Sequence, residues 1–173
     1  MGTQSLVIMG VAGCGKSTLA ALLAQALGLQ LVEGDDHHPE HNRQKMQAGI
    51  PLTDEDRAGW LDRLAQSLRD DPDGLVVTCS ALRRLYRDRL RAAVPDLRFV
   101  YLDIDPEEAL RRVSSRGAHF FGPGLVESQF ATLESPAREP GVLCLRAIES
   151  PEQLAAQVSA WLRPDEPARV GAR

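Results

Sequence analysis

The sequence predicts an α/β domain with a five-stranded parallel sheet and helices on both faces. Three observations lead there. Short apolar runs alternate with longer helix-forming stretches along most of the chain, as a parallel sheet with helical crossovers requires. The segment Gly10–Thr18 matches G-x-x-x-x-G-K-[ST] at every fixed position. It lies between an apolar run, Ser5-Leu6-Val7-Ile8-Met9, and a run of good helix formers from Leu19 to Leu27 that Gly28 stops. Strand, glycine loop and helix in that order form a phosphate-binding loop.

In this loop Gly10, Gly13 and Gly15 let the backbone turn its N–H groups inward as an anion nest. The first helical turn adds unpaired N–H groups and the positive end of its dipole. Val11, Ala12, Cys14 and Thr18 complete the nucleotide-binding segment. Lys16 is placed to meet the β- and γ-phosphates, and the Ser17 hydroxyl to ligate Mg²⁺. The chain holds 18 Arg but only two Lys, Lys16 and Lys45, so a lysine here looks required.

The remaining elements follow in order. Leu29–Glu33 reads as the second strand, ending in Gly34-Asp35-Asp36-His37-His38-Pro39 at the edge where open parallel sheets bind ligands. Pro39 is expected at the first position of a polar helix stopped by Gly49. That helix is poor core material and reads as a cleft wall. Thr53 caps the next helix, whose Trp60, Leu61, Leu64 and Leu68 keep helical spacing. Leu75–Cys79 is strand three and delivers Ser80 to the same edge, followed by a basic helix over Arg83–Arg91. Leu97–Leu102 is strand four, and Asp105-Pro106 opens a further helix. Ser114–Gly124, glycine-flanked with basic and aromatic residues between, reads with Arg112 as a mobile lid over about 112–124. Leu125–Leu133 returns to helix, Val142–Leu145 is strand five, and Pro151–Leu162 is the last helix. Residues 1–163 are read as one domain and 164–173 as a disordered tail.

Composition narrows the class. A formal charge of −4 argues against nucleic acid as the main partner. No apolar run approaches the length of a membrane span, and the N-terminal run has no basic flank, so neither a membrane nor a signal peptide is expected. Cys14, Cys79 and Cys144 show no C-x-x-C spacing, which suits a reducing cytoplasm. His37, His38 and His41 lack standard zinc spacing. A switch GTPase needs N-K-x-D, but the sole asparagine, Asn42, is followed by Arg43-Gln44-Lys45. A small kinase is the class left.

Longer blocks sharpen this. They are Gly34-Asp35-Asp36-x-His38-Pro39, Asn42-Arg43-x-Lys45-Met46, Pro51-Leu52-Thr53-Asp54-x-Asp56-Arg57-x-x-Trp60-Leu61 and Cys79-Ser80-Ala81-Leu82-Arg83-Arg84-x-Tyr86-Arg87-Asp88. With Arg116-x-x-His119-Phe120-Phe121 and Ser128-Gln129-Phe130-x-Thr132-Leu133-Glu134-x-Pro136, they resemble the gluconate kinase (gluconokinase) family over residues 5 to about 162. Gly117-Ala118 stand where that family usually has Lys-Gly, and Arg83-Arg84 where it often has Lys-Lys. The resemblance implies a P-loop nucleoside-kinase-like fold, ATP and Mg²⁺ as cofactors, a homodimer, and phosphorylation of D-gluconate to 6-phospho-D-gluconate. Asp35 is then the carboxylate that takes the hydroxyl proton, with Lys16 and Arg116 as its catalytic companions. Arg43, Lys45, Arg83 and Arg87 are the expected cations of the gluconate pocket, with Ser80, His38 and His119 as further substrate contacts. Arg112 and Arg116 are expected on the phosphates. A related small-acid kinase such as a shikimate kinase, or a nucleotide-binding module without turnover, remain alternatives at this point.

Overall fold

Strand β1 (Leu6–Met9) is buried at all four positions and forms the middle of the sheet. The computed structural model describes residues 4–116 and 123–163. After β1 come α1 (Lys16–Leu27), β2 (Gln30–Glu33), a single 3₁₀ turn (Gly34–His37), α2 (Glu40–Gln47) and α3 (Asp54–Asp70). Then follow β3 (Leu75–Thr78), α4 (Arg84–Ala93), β4 (Arg98–Asp103), α5 (Pro106–Ser115), α6 (Pro123–Thr132), β5 (Val142–Arg146) and α7 (Pro151–Leu162). The predicted fold class holds: five parallel strands in the order β2-β3-β1-β4-β5, flanked by helices. Because β1 pairs β3 on one side and β4 on the other, the winding reverses around it. The crevice beyond its carboxyl end is where such sheets take ligands.

Local chemistry sets the element ends. Thr53 and Ser150 each close a reciprocal capping box, with Asp56 and Gln153 respectively, satisfying two otherwise unpaired amides per helix. Asp105 occupies its expected cap position with extended backbone, but its side chain makes no capping bond. Pro39 sits one position earlier than expected, as the cap of α2, where its carbonyl accepts from the amides of Asn42 and Arg43. Valine and leucine side chains of β1, β3 and β4 meet Leu19 and Leu23 of α1, Leu61, Leu64 and Leu68 of α3, and Leu154 and Val158 of α7 in one core. Residues 117–122 of the expected lid, His119 among them, and residues 164–173, expected as a tail, lie outside the described residues.

Candidate active site

Three parallel strands deliver their carboxyl ends to one cavity of about 500 Å³. From β1 comes the phosphate loop, from β2 the turn carrying Asp35, and from β3 Ser80. Ala12, Gly13, Gly15, Lys16, Ser17 and Thr18 line the cavity. Val11 and Cys14 instead turn into the core, each 1% exposed. Gly13 has φ +83°, and a Cβ there would stand 2.9 Å from the Ala109 carbonyl oxygen, so both conformation and space demand glycine. Lys16 Nζ donates to the carbonyls of Gly10 (2.9 Å) and Val11 (3.1 Å), which hold it over the loop.

A carboxylate that the sequence reading did not single out stands beside the loop. Ser17 Oγ donates to Glu33 Oε2 at 3.0 Å, and Thr78 Oγ1 donates to the same oxygen at 2.7 Å. Hydroxyl and carboxylate oxygens at the mouth of a phosphate loop are the hard donors that Mg²⁺ selects, so the residues present fit that ion. The available signal was position: Glu33 ends β2 at the ligand-binding edge.

The wall across from the phosphate loop is built by residues of the 3₁₀ turn, α2 and α3. Asp35, His38, Arg43, Arg57 and Trp60 line this wall. His38 stacks on Trp60 with ring centroids 4.1 Å apart and planes 19° from parallel. Trp60 Nε1 donates to the Gly34 carbonyl at 2.7 Å. Asn42 fixes the imidazole. Its Nδ2 lies 2.9 Å from the Asp56 carbonyl oxygen, which can only accept, and 3.1 Å from His38 Nδ1. The amide nitrogen therefore faces both, Nδ1 accepts, and the ring proton belongs on Nε2. That nitrogen lies 3.9 Å from Asp35 Oδ1. Burial, then the charges of Arg43 and Arg57, push the His38 pKa down to about 4. Near neutrality the ring is an uncharged donor beside an acceptor carboxylate.

Not every expected contact is in this cavity. Arg116 lines it, whereas Arg112 lies in a neighbouring recess with Thr18 and Arg116, donating to the Gly13 carbonyl (3.3 Å) and the Ala147 carbonyl (3.1 Å). Three of the four cations expected at the substrate are engaged elsewhere. Lys45 pairs with Asp56 at 2.7 Å, and Arg83 pairs with Asp54 and lies 3.7 Å from Glu134. Arg87 is the clearest correction. Its side chain is fully buried against Glu139 and bonded to the carbonyls of Ala81 (2.7 Å) and Glu134 (3.0 Å). It clamps the loop after β3, where Ala81 has the strained φ of +45°. Arg43 alone of the four reaches the cavity, bonded to the carbonyls of His38 (3.3 Å) and Asp36 (3.0 Å).

Two further wall residues were missed. Gln129 of α6 accepts the Ala12 amide at 2.7 Å, tying that helix to the phosphate loop. Arg57 sits one turn before Leu61 on the apolar stripe of α3, and a charge in that phase was the legible signal.

A phosphate loop at the carboxyl edge of a five-stranded parallel sheet, opening on one cavity, defines the class: an α/β phosphate-loop kinase. Comparison with known proteins agrees. The family described as an AAA domain matches residues 6–140. The gluconokinase of Gluconobacter oxydans (strain 621H) is 43% identical over 150 residues, 85% of this chain and 84% of that one. A probable gluconokinase of Schizosaccharomyces pombe is 41% identical over 157 residues, covering 85% and 81%. The crystal structure of a gluconokinase from Sinorhizobium meliloti 1021 superposes with a TM-score of 0.87 at 37% identity, covering 94% and 93%. The chain belongs to the gluconokinase family.

Proposed function

We propose that this enzyme transfers the γ-phosphoryl group of ATP to D-gluconate, giving ADP and 6-phospho-D-gluconate. The observation that carries the reading is the shared cavity. It joins Lys16 and the loop amides to Asp35, His38 and Arg57 with no element between them among the described residues. Family membership supports the choice of acceptor.

In this reading the loop amides and Lys16 take the β- and γ-phosphates, which replace the Gly10 and Val11 carbonyls at the ammonium. The recess beside Thr18 and Arg112 receives the nucleoside. Ser17 and Glu33 hold the oxygen side of a Mg²⁺ site. Bound there, the ion supplies positive charge to the phosphate oxygens. A gluconate hydroxyl oxygen attacks phosphorus, the bond to the β-phosphate oxygen breaks, and Asp35 accepts the hydroxyl proton. His38 donates from Nε2 to a neighbouring hydroxyl. Arg116 meets charge on the transferring group. Positioning and electrostatics carry the step, since the protein forms no covalent bond. A cytoplasmic setting, in keeping with the free cysteines Cys14, Cys79 and Cys144, and the homodimer implied by the family resemblance belong to the same reading.

The test is a coupled ADP-release assay with D-gluconate and with shikimate, with and without acceptor. Turnover with gluconate is expected. Turnover with shikimate alone, or ATP binding without acceptor-dependent ADP release, overturns the proposal.

A further inference from the structure

Two buried arginines stand near the acceptor wall, and their surroundings differ. Arg87 is enclosed and has a carboxylate partner in Glu139. Arg57 is 8% exposed, lines the cavity, and has no carboxylate within 4 Å among the described residues. Its one protein hydrogen bond runs from Nη1 to the Tyr86 hydroxyl at 2.9 Å, with the guanidinium carbon 5.3 Å from that ring's centroid. Tyr86 in turn donates to Asp54, but Asp54 already holds Arg83. Asp56, the other acid at this end of α3, is taken by Lys45. Among the described residues no other acceptor meets the guanidinium, which lines the cavity with its remaining N–H donors unpaired.

A buried cation without a countercharge is costly, and a ligand anion removes the cost. A guanidinium also matches a carboxylate in geometry, through two parallel hydrogen bonds. We infer that Arg57 is the specificity-determining residue that reads the carboxylate of the acceptor substrate. The inference rests on the proposed function and deepens it, moving carboxylate recognition from the expected cations Arg43, Lys45, Arg83 and Arg87 to Arg57 of α3. In this reading the reacting hydroxyl of D-gluconate lies at Asp35 and the phosphate loop, and its carboxylate at Arg57. Arg43 faces the same space, but two backbone carbonyls already hold its guanidinium.

The test compares R57M and R57K with the wild type, using dissociation constants measured by calorimetry for D-gluconate and for D-glucitol, the neutral polyol of equal length. Loss of a charge-assisted hydrogen-bond pair is expected to weaken gluconate roughly 10–100-fold in R57M. Glucitol binding should change about twofold or less, so the preference for gluconate collapses; R57K should fall between. The KM for ATP should not move. Equal weakening of both ligands, or an unchanged preference, overturns the inference. If R57M is too unstable to measure, the R57K preference ratio decides by the same criterion. Should wild-type enzyme fail to turn over gluconate, the assignment of substrate fails by the turnover assay. Arg57 is then judged by the same binding ratio between shikimate and its neutral methyl ester.

Discussion

Replacing Arg87 by methionine tests the clamp directly. The side chain makes four hydrogen bonds: to Glu139 through Nε (3.0 Å) and Nη2 (2.5 Å), and to the carbonyls of Ala81 and Glu134. All are removed from solvent, since Arg87 is 0% exposed. Methionine fills much of the volume but leaves two carbonyls without a donor and Glu139 with Arg91 alone. Breaking a buried ion pair from one side costs about 3–5 kcal/mol. A folded domain has about 5–15 kcal/mol in total, so R87M should lose a large fraction and unfold about 10 °C or more below wild type. The assay is urea unfolding at neutral pH for wild type, R87M, E139Q and the double variant. The double variant should be less destabilised than the sum of the singles by about 1 kcal/mol or more. A loss below about 1 kcal/mol in R87M, or strict additivity, would refute the clamp and reopen Arg87 as a substrate contact.

The other expectations concern the chemistry. Lys16→Ala should lower kcat/KM about 10²-fold or more while leaving the urea midpoint near wild type, because the side chain serves bound phosphate. Asp35→Asn should lower kcat roughly 10²-fold or more with the KM for ATP unchanged; a near-normal kcat would remove Asp35 as the base. Glu33→Gln should raise the Mg²⁺ concentration needed for half-maximal rate by roughly 10–100-fold, read by metal titration at fixed ATP. For His38, folding favours the neutral ring, so the unfolded chain binds more protons between its ordinary pKa of 6.5 and the folded value of about 4. Stability is therefore whole above that window and falls as pH drops through it, by up to about 3 kcal/mol, and H38Q should flatten that part of the urea-midpoint profile.

How much of this could be read from the chain depends on which interaction decides each feature. The five strands, the phosphate loop and the placement of Asp35 follow from local pattern: apolar runs, glycine spacing and a strand's carboxyl end. Cation roles do not. Lys45, Arg83 and Arg87 look like pocket charges because their segments face the right edge, yet each finds an acid distant in sequence. Glu139 lies 52 residues beyond Arg87, and no periodicity forecasts that pairing. Arg57 follows three acids at a helix start and draws no role from the local pattern, although its phase with Leu61, Leu64 and Leu68 marks it as buried. Charge sign was visible in the chain; which charges cancel is a property of the fold.

The turn that carries Asp35, the proposed base, is held from two sides through its neighbour Gly34. Gly34 passes so close to β3 that a Cβ there would lie 2.0 Å from the Thr78 carbonyl oxygen. Its amide donates to Thr78 Oγ1 at 3.1 Å, and its carbonyl accepts from Trp60 Nε1. Thr78 Oγ1 donates in turn to Glu33, the carboxylate that accepts from Ser17. The turn bearing Asp35 is thus pinned to the sheet on one side and to α3 on the other. The same Trp60 is the shelf for His38, whose tautomer Asn42 fixes. Groups assigned to metal, base and hydroxyl recognition therefore share one hydrogen-bonded frame anchored in β3 and α3. Little reorganisation is then left for the moment of transfer, which is how a site without covalent chemistry lowers a barrier.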